Sequence, residues 1–192
     1  MKLATLLMQS WVVALEVQVA APVEVTLVDI NRGNQETKLL LERDGSYDPA
    51  MAKTVAHVFR CKTEAEHVIA KRTLAMLAAL SERYGKPIEL VSGYRVRRGE
   101  SMTSPHRDAR AIDFKIPGVD LREVRDWLWA TYTEVGIGWY PYDGPFIHMD
   151  SRPTMNDTAW TDIGGRYLYN PAWSITARAP KPDKPTHRGP GV

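Results

Sequence analysis

Strand-like and helix-like segments follow one another along this chain without a regular alternation. Val23 to Ile30 is rich in valine, Asn31 to Asn34 has turn chemistry, and Glu36 to Glu42 has the composition of a second strand, so a β-hairpin is predicted. Four more segments have the apolar composition of short strands: Ile88 to Val91, Ala111 to Ile116, Val135 to Tyr140 and Phe146 to Asp150. This irregular mixing predicts a single-domain α+β fold, with a small, largely antiparallel sheet and flanking helices.

Two helices are predicted between the hairpin and the next strand, and a third further along. Asp48 precedes Pro49, which places a capping carboxylate before a proline at the first helical position. A long amphipathic pattern runs from Thr63 to Tyr84 and stops at Gly85. Asp120 stands at the start of the third amphipathic segment, in the position of a helix cap. We expect the first two helices to be scaffold.

The charge balance excludes a strongly basic surface on the central part of the chain. The sequence carries 25 Lys and Arg against 23 Asp and Glu, and four of the basic residues lie within residues 177–192. Because a nucleic-acid binder needs a basic surface, no nucleic-acid partner is expected. Cys61 is the only cysteine, which excludes an internal disulfide and a metal site built from several cysteines.

The two ends differ in composition from the central residues 23–176, which we expect to form the folded domain. Residues 1–22 begin with Met1 and Lys2, continue with a mostly apolar run and end near small residues. This pattern is typical of a signal peptide, and an N-terminal extension packed on the domain is the alternative. Residues 177–192 are rich in Pro, Lys and Arg and predict a disordered basic tail. The sequence contains no run of about twenty uninterrupted apolar residues, so no transmembrane segment is predicted.

Two histidines and one aspartate stand out because apolar residues surround them in or beside strand-like segments. His106 lies in a polar loop that leads into the strand carrying Asp113, and His148 lies in Phe146 to Asp150. A buried carboxylate needs a cation or several hydrogen-bond donors. Two imidazoles and a carboxylate suit Zn²⁺, and three protein ligands leave a fourth position for water. The alternatives are a purely structural metal, or side chains satisfied by backbone hydrogen bonds in a mixed sheet.

Five motifs occur in an order that resembles one family of enzymes. They are Arg43-Asp44-Gly45-Ser46-Tyr47-Asp48-Pro49, Ser92-Gly93-Tyr94-Arg95, Ser104-Pro105-His106 with Asp113 seven residues after the histidine, Gly136-Ile137-Gly138-Trp139-Tyr140, and His148-Met149-Asp150. The chain resembles zinc peptidases acting on peptidoglycan, the D-alanyl-D-alanine carboxypeptidase and dipeptidase superfamily. It is most similar to the YcbK-like murein endopeptidase branch, from about residue 25 to residue 160.

The resemblance implies roles for particular residues. It implies that His106, Asp113 and His148 are zinc ligands, and that Arg95 binds substrate or stabilises the transition state. Dipeptidase relatives place a glutamate base three residues before the last histidine ligand, where this chain has Pro145. Other relatives use a residue five before that ligand, which here is Asp143, so Asp143 is the candidate base.

The resemblance also implies a function. It predicts a zinc metallopeptidase, with Zn²⁺ as cofactor and peptidoglycan peptide as substrate, that acts as a D,D- or L,D-endopeptidase or as a carboxypeptidase. Such an enzyme works in the periplasm or outside the cell. The alternative is a non-catalytic cell-wall-binding module that retains the peptidase fold, because Pro145 cannot move a proton.

Overall fold

The structure is a computed structural model that describes residues 20–96, 99 and 101–178. Most of the predicted signal peptide, and the predicted tail beyond residue 178, lie outside the described residues. Both therefore stay predictions, as do the domain limits at residues 23 and 176. None of the helices in the described ranges has the length and apolar character needed to cross a membrane.

Eight strands and four α-helices are present in the described residues. The strands are β1 (Val23–Asp29), β2 (Gln35–Leu41), β3 (Ile88–Ser92), β4 (Ala111–Lys115), β5 (Val135–Tyr140), β6 (Phe146–Ser151), β7 (Thr158–Asp162) and β8 (Tyr167–Tyr169). The helices are α1 (Ala52–Val58), which follows a short 3₁₀ turn (Pro49–Met51), α2 (Lys71–Tyr84), α3 (Leu121–Thr131) and α4 (Ala172–Ala177). All eight strands form one sheet in the order β2-β1-β3-β4-β6-β5-β7-β8.

The prediction of a small, largely antiparallel sheet is wrong, because the sheet is mixed and has eight strands. β1 pairs with β3 in the parallel direction, and β5 does the same with β7. The connection between β2 and β3 contains α1 and α2, and a crossover of this length lets β3 enter the sheet parallel to β1. β7 and β8 were not predicted from the sequence, and they extend the sheet beyond β5.

The predicted hairpin and helix caps are confirmed, but the long helix begins later than its amphipathic pattern suggests. β1 and β2 pair antiparallel, and the side chains of Asp48 and Asp120 accept hydrogen bonds from backbone N–H groups of the helical turns that follow them. α2 starts at Lys71, because Ala70 is extended and its N–H donates to the carbonyl of Ala109, 2.8 Å away. As predicted, the helix stops at Gly85, and this glycine adopts the left-handed conformation.

Arg178, directly after α4, forms hydrogen bonds and a cation–π contact with the rest of the domain. Its guanidinium donates to Asp157 Oδ2 at 2.7 Å and to the carbonyl of Tyr132 at 3.1 Å, and lies 4.1 Å from the ring centre of Trp129. We expect Arg178→Ala to lower the free energy of unfolding by about 1 to 2 kcal/mol, measured by urea denaturation. The matched control is Arg122→Ala, whose pair with Asp120 is exposed to solvent and contributes little to the free energy of unfolding. Equal effects of the two variants would contradict this prediction.

Candidate metal centre

Two of the three predicted metal ligands lie on adjacent central strands. β4 and β6 pair antiparallel, and their register sets Asp113 directly opposite His148. Residues paired in this way project from the same face of a sheet, so the carboxylate and the imidazole meet there. His106 comes from the loop before β4, and all three residues are buried. The fold therefore gathers residues that are up to 42 positions apart in the chain.

The three side chains converge on one point. Asp113 Oδ1 lies 2.9 Å from His148 Nδ1 and 3.2 Å from His106 Nε2, and the two ring nitrogens are 3.1 Å apart. One ligand atom from each residue lies within 4.8 Å of the others. Burial acts to raise the pKa of Asp113, but the two histidines outweigh it and hold that pKa well below its usual range. The carboxylate is therefore ionised at neutral pH.

The outer nitrogen of each histidine has its own acceptor, which fixes the ring. His106 Nδ1 donates to the carbonyl of Gly93 at 2.7 Å, and His148 Nε2 donates to Asp150 Oδ2 at 3.1 Å. Because these nitrogens donate outward, the inner nitrogen of each ring faces Asp113 and offers its lone pair to a metal ion once it carries no proton. Two such lone pairs and a carboxylate oxygen form a donor set suited to a cation. The residues present thus fit Zn²⁺.

An ion pair supports His148 from behind. Asp150 has no exposed surface, and its Oδ1 lies 3.1 Å from Arg152 Nε while its Oδ2 accepts from His148. Gly136 is opposite Asp150 in the sheet, and a Cβ at position 136 would lie 2.0 Å from Asp150 Oδ2 and 2.6 Å from Arg152 Nη2. The absence of a side chain at Gly136 therefore makes room for the pair.

The second glycine of the same strand makes room for an aromatic ring. Gly138 lies between His148 on β6 and Trp160 on β7, and a Cβ there would come within 2.4 Å of the indole. The Trp160 ring centre is 5.0 Å from that of His148, and its Nε1–H donates to Tyr140 Oη at 3.2 Å. Arg152 and Trp160 were missed by the sequence analysis. The signal that pointed to them was the pair of alternate glycines within a strand, which marks close approach of other groups.

A cleft of about 780 Å³ opens above this group. Arg95 lines it, with Nη1 3.5 Å from Asp113 Oδ2. Asp143 lies on the turn between β5 and β6, is exposed, and does not line the cleft. The structure therefore brings four of the five predicted site residues together and leaves Asp143 apart. Among the described residues, Asp113 and Asp150 are the only carboxylates that line the cleft.

The hydrogen bonds of His148 predict a pH dependence of metal binding. Burial acts to lower the pKa of His148, but hydrogen bonds to Asp113 and Asp150 outweigh it and raise the pKa to about 9. At neutral pH the metal-free site thus holds a proton on His148 that a metal ion must displace. We expect the apparent zinc affinity to rise about tenfold per pH unit from pH 6.5 to 8.5, measured by competition with a chromophoric chelator.

The raised pKa of His148 also determines how the free energy of unfolding of the metal-free protein depends on pH. Because this pKa is higher in the folded than in the unfolded protein, His148 adds its full contribution to the free energy of unfolding below about pH 6.5. That contribution is lost as the pH rises through about 9. A zinc affinity that stays constant between pH 6.5 and 8.5 would contradict the proton displacement.

A buried group of two histidines and one aspartate at the floor of a cleft has the composition expected of a catalytic metal centre. Comparison with known families makes the assignment specific. Residues 17–156 match the family model Peptidase_M15_2, described as peptidoglycan L,D-endopeptidase MepK, and the chain belongs to this family. This confirms the resemblance to the YcbK-like murein endopeptidase branch.

Curated relatives match a part of the chain. It is 33% identical over 81 residues to peptidoglycan L,D-endopeptidase MepK of Escherichia coli (strain K12), which covers 37% of this chain and 43% of that protein. It is 30% identical over 121 residues to probable peptidoglycan L,D-endopeptidase MepK of Haemophilus influenzae, which covers 56% of this chain and 64% of the relative. The matches thus span less than two thirds of either relative. No solved structure matches the chain significantly.

Proposed function

We propose that this protein is a zinc-dependent peptidase that hydrolyses amide bonds in the stem peptides or cross-links of peptidoglycan. The observation that carries the proposal is the convergence of His106, Asp113 and His148 at the floor of the cleft, with the outer nitrogen of each imidazole hydrogen-bonded. Membership of the MepK family, and the peptidoglycan L,D-endopeptidase activity for which the relatives are named, support the substrate class. The proposed place of action is the periplasm or the cell exterior.

In this proposal His106, Asp113 and His148 would hold the zinc ion. When bound, zinc supplies a Lewis acid that activates water and polarises the amide carbonyl. Asp150 accepts the Nε2 proton of His148, which keeps the ring turned toward Asp113. Burial acts to raise the pKa of Asp150, but His148 and then Arg152 outweigh it and keep the carboxylate ionised, and the pair with Arg152 also holds it in place.

Arg95 is the proposed cation for the transition state. Its guanidinium lines the cleft and reaches to 3.5 Å of Asp113, next to the point where the amide carbonyl would bind. Negative charge develops on the carbonyl oxygen during attack, and a fixed cation at that place stabilises the charge. Because the cation is already positioned, little reorganisation is needed at the moment of reaction.

Asp143 remains the proposed base, on the ground of its sequence position five residues before His148. A positioned base is typically worth about 10² to 10⁴ in rate, so Asp143→Asn should lower kcat at least about a hundredfold. The variant should bind zinc like the parent, because Asp143 is exposed and lies outside the ligand group. Steady-state kinetics and a zinc titration check the two expectations. Parent-like turnover in Asp143→Asn would remove this residue from the mechanism.

The experiment that tests the function is digestion of purified peptidoglycan, followed by mass spectrometry of the released peptides. We expect cleavage products with the zinc-loaded protein, none after treatment with a chelator, and recovery when zinc is restored. The masses identify the bond, which separates D,D- from L,D-cleavage and endopeptidase from carboxypeptidase action. Absence of products at every zinc concentration would contradict the proposed activity.

A second candidate function is a non-catalytic cell-wall-binding module. The observation that favours it is the position of Asp143 outside the cleft, together with Pro145 at the place where dipeptidase relatives have a base. This function predicts that the protein sediments with peptidoglycan and holds zinc but releases no peptide. The digestion experiment therefore distinguishes the two functions.

A further inference from the structure

The last strand of the sheet, β8, continues the wall of the main cleft. Its residue Tyr169 pairs with Trp160 on β7, and Trp160 is in register with Gly138 on β5. Gly138 in turn lies opposite His148, so Tyr169 and this metal ligand stand in one row across four strands. Residues in such a row project from the same face of a sheet, and Tyr167, two residues before Tyr169, shares that face. Both tyrosines line the cleft.

Aromatic rings cover this face from the metal ligands to the edge of the sheet. The ring centre of Trp160 lies 5.0 Å from that of His148, and its indole N–H donates to Tyr140 Oη. The Tyr140 ring contacts that of Tyr167 edge-on, with 6.4 Å between the ring centres. The ring centres of Tyr167 and Tyr169 are also 6.4 Å apart. We call this continuous surface the aromatic wall, and it consists of Trp160, Tyr140, Tyr167 and Tyr169.

β8 contributes no residue to the hydrophobic core. All three of its residues are exposed, and the exposed fractions of Tyr167 and Tyr169 are 54% and 57%. Exposed apolar side chains that form a contiguous patch mark an interaction site. β7 and β8 also lie beyond residue 156, where the match to the family model ends. Membership of the family therefore assigns no role to these two tyrosines.

The distance from the metal ligands to β8 corresponds to a short peptide. β6, β5, β7 and β8 are successive neighbours, so Tyr169 lies three strand spacings from His148, about 14 Å. About four residues of extended peptide bridge that distance. In peptidoglycan the stem peptides are only a few residues long, and each begins at a sugar of the glycan strand. When an amide bond of the stem lies at the metal ligands, that sugar is therefore within reach of β8.

The chemistry of the aromatic wall favours a sugar ring over a peptide. A pyranose ring presents C–H groups on its face and polar groups at its rim. A tyrosine side chain likewise presents an apolar ring face and carries a polar hydroxyl at its tip. A peptide that docked on an edge strand would instead use the main-chain groups of that strand, with no need for a row of aromatic rings.

We propose that the aromatic wall binds the sugar that carries the stem peptide, with Tyr167 and Tyr169 stacked against the sugar ring. The proposal rests on the proposed peptidase function, because it places the sugar and the scissile amide on one substrate. It makes the protein selective for stem peptides that are still attached to the glycan strand. Peptides already released from the glycan become poor substrates, although they contain the same amide bond.

The kinetic test compares two forms of one cross-linked dimer, with a disaccharide on each stem peptide or with the sugars removed by an amidase. We expect kcat/KM to be about tenfold higher for the sugar-bearing form, the size typical of an aromatic contact residue. Tyr167→Ala combined with Tyr169→Ala should lower kcat/KM for that form to the level of the sugar-free form.

Two further variants show whether the ring faces are responsible. Tyr167→Phe combined with Tyr169→Phe should keep most of the preference for the sugar-bearing form, because both ring faces remain. The matched control is Leu168→Ala, since Leu168 is an exposed residue of the same strand that projects from the opposite face. This control should keep the full preference.

Binding of peptide-free glycan strands to the chelator-treated protein, measured by calorimetry, gives a readout that does not depend on hydrolysis. We expect the double alanine variant to bind them at least about tenfold more weakly than the parent and Leu168→Ala do. This result would support the aromatic wall even if no amide bond were cut, whereas absence of cleavage alone would contradict only the peptidase function.

Three results would overturn the proposal. The first is equal kcat/KM for the two forms of the dimer in the parent. The second is glycan binding that the double alanine variant leaves unchanged. The third is a double alanine variant that weakens binding of sugar-free stem peptides as much as binding of glycan, or that changes only the oligomeric state in sedimentation, which would assign the wall to a peptide or to a second copy of the chain.

Discussion

Replacement of His106 and His148 together by alanine is expected to abolish zinc binding and the proposed hydrolysis of peptidoglycan, because a single carboxylate ligand then remains at the site. Elemental analysis should fall from about one zinc ion per chain in the parent, the stoichiometry of a three-ligand site, to a background level. Thermal unfolding gives a second measure. Zinc at a hundred times its dissociation constant stabilises the parent by about 2.7 kcal/mol and leaves the double variant unchanged.

The matched control is His57→Ala, because His57 is an exposed histidine of α1 that contacts Glu66 and lies outside the metal group. This variant should keep full zinc content and full activity. Parent-like zinc content in the double variant would show that the ligand set is wrong, whatever the activity.

Gly136→Ala is expected to weaken zinc binding although position 136 contributes no ligand. The new methyl group would lie 2.0 Å from Asp150 Oδ2, so the carboxylate must move away from His148 Nε2. Loss of such a supporting hydrogen bond typically costs about 10- to 100-fold in metal affinity. The crowding should also lower the free energy of unfolding by about 1 to 3 kcal/mol. Zinc titration and urea denaturation measure the two effects separately.

Two further variants separate the loss of support from general destabilisation. Asp150→Asn removes the charge without crowding, and should weaken zinc binding to a similar degree. Leu39→Ala opens a cavity in the core under β2, where it should cost about 2 to 5 kcal/mol of stability and leave the zinc affinity unchanged. If Leu39→Ala weakened zinc binding as much as Gly136→Ala does, the specific role of Gly136 would be refuted.

Local patterns were sufficient to predict the elements that carry the ligands. The apolar composition of β4 and β6 and the caps at Asp48 and Asp120 are properties of a few adjacent residues, and the structure confirms them. The start of α2 depends on a contact between Ala70 and Ala109, 39 positions away, which no local pattern shows. The parallel pairing of β1 with β3 also depends on the path of a long connection, so the sheet was predicted wrongly.

The residues of the candidate site also fall into those that local sequence patterns could predict and those that depend on the three-dimensional fold. His106, Asp113 and His148 were recognisable because polar groups in apolar surroundings need partners of the right chemistry. The alternate glycines Gly136 and Gly138 indicated that other groups approach β5 closely, but the identity of those groups, Arg152 and Trp160, depends on the register of β5 against its two neighbours. Asp143 was chosen by its distance from His148 along the chain, whereas its place relative to the cleft is set by the turn between the strands.

The unequal anchoring of the three ligands has a consequence for the kinetics of metal exchange. Asp113 and His148 lie on β4 and β6, in the middle of the sheet, and such strands open only at a free energy close to that of global unfolding. His106 lies in a loop, where its ring is held by one hydrogen bond to the carbonyl of Gly93. For the proposed metal ion, we therefore expect release to begin with displacement of His106, so that the loop determines the dissociation rate and the two central strands keep the other two ligands in place for rebinding.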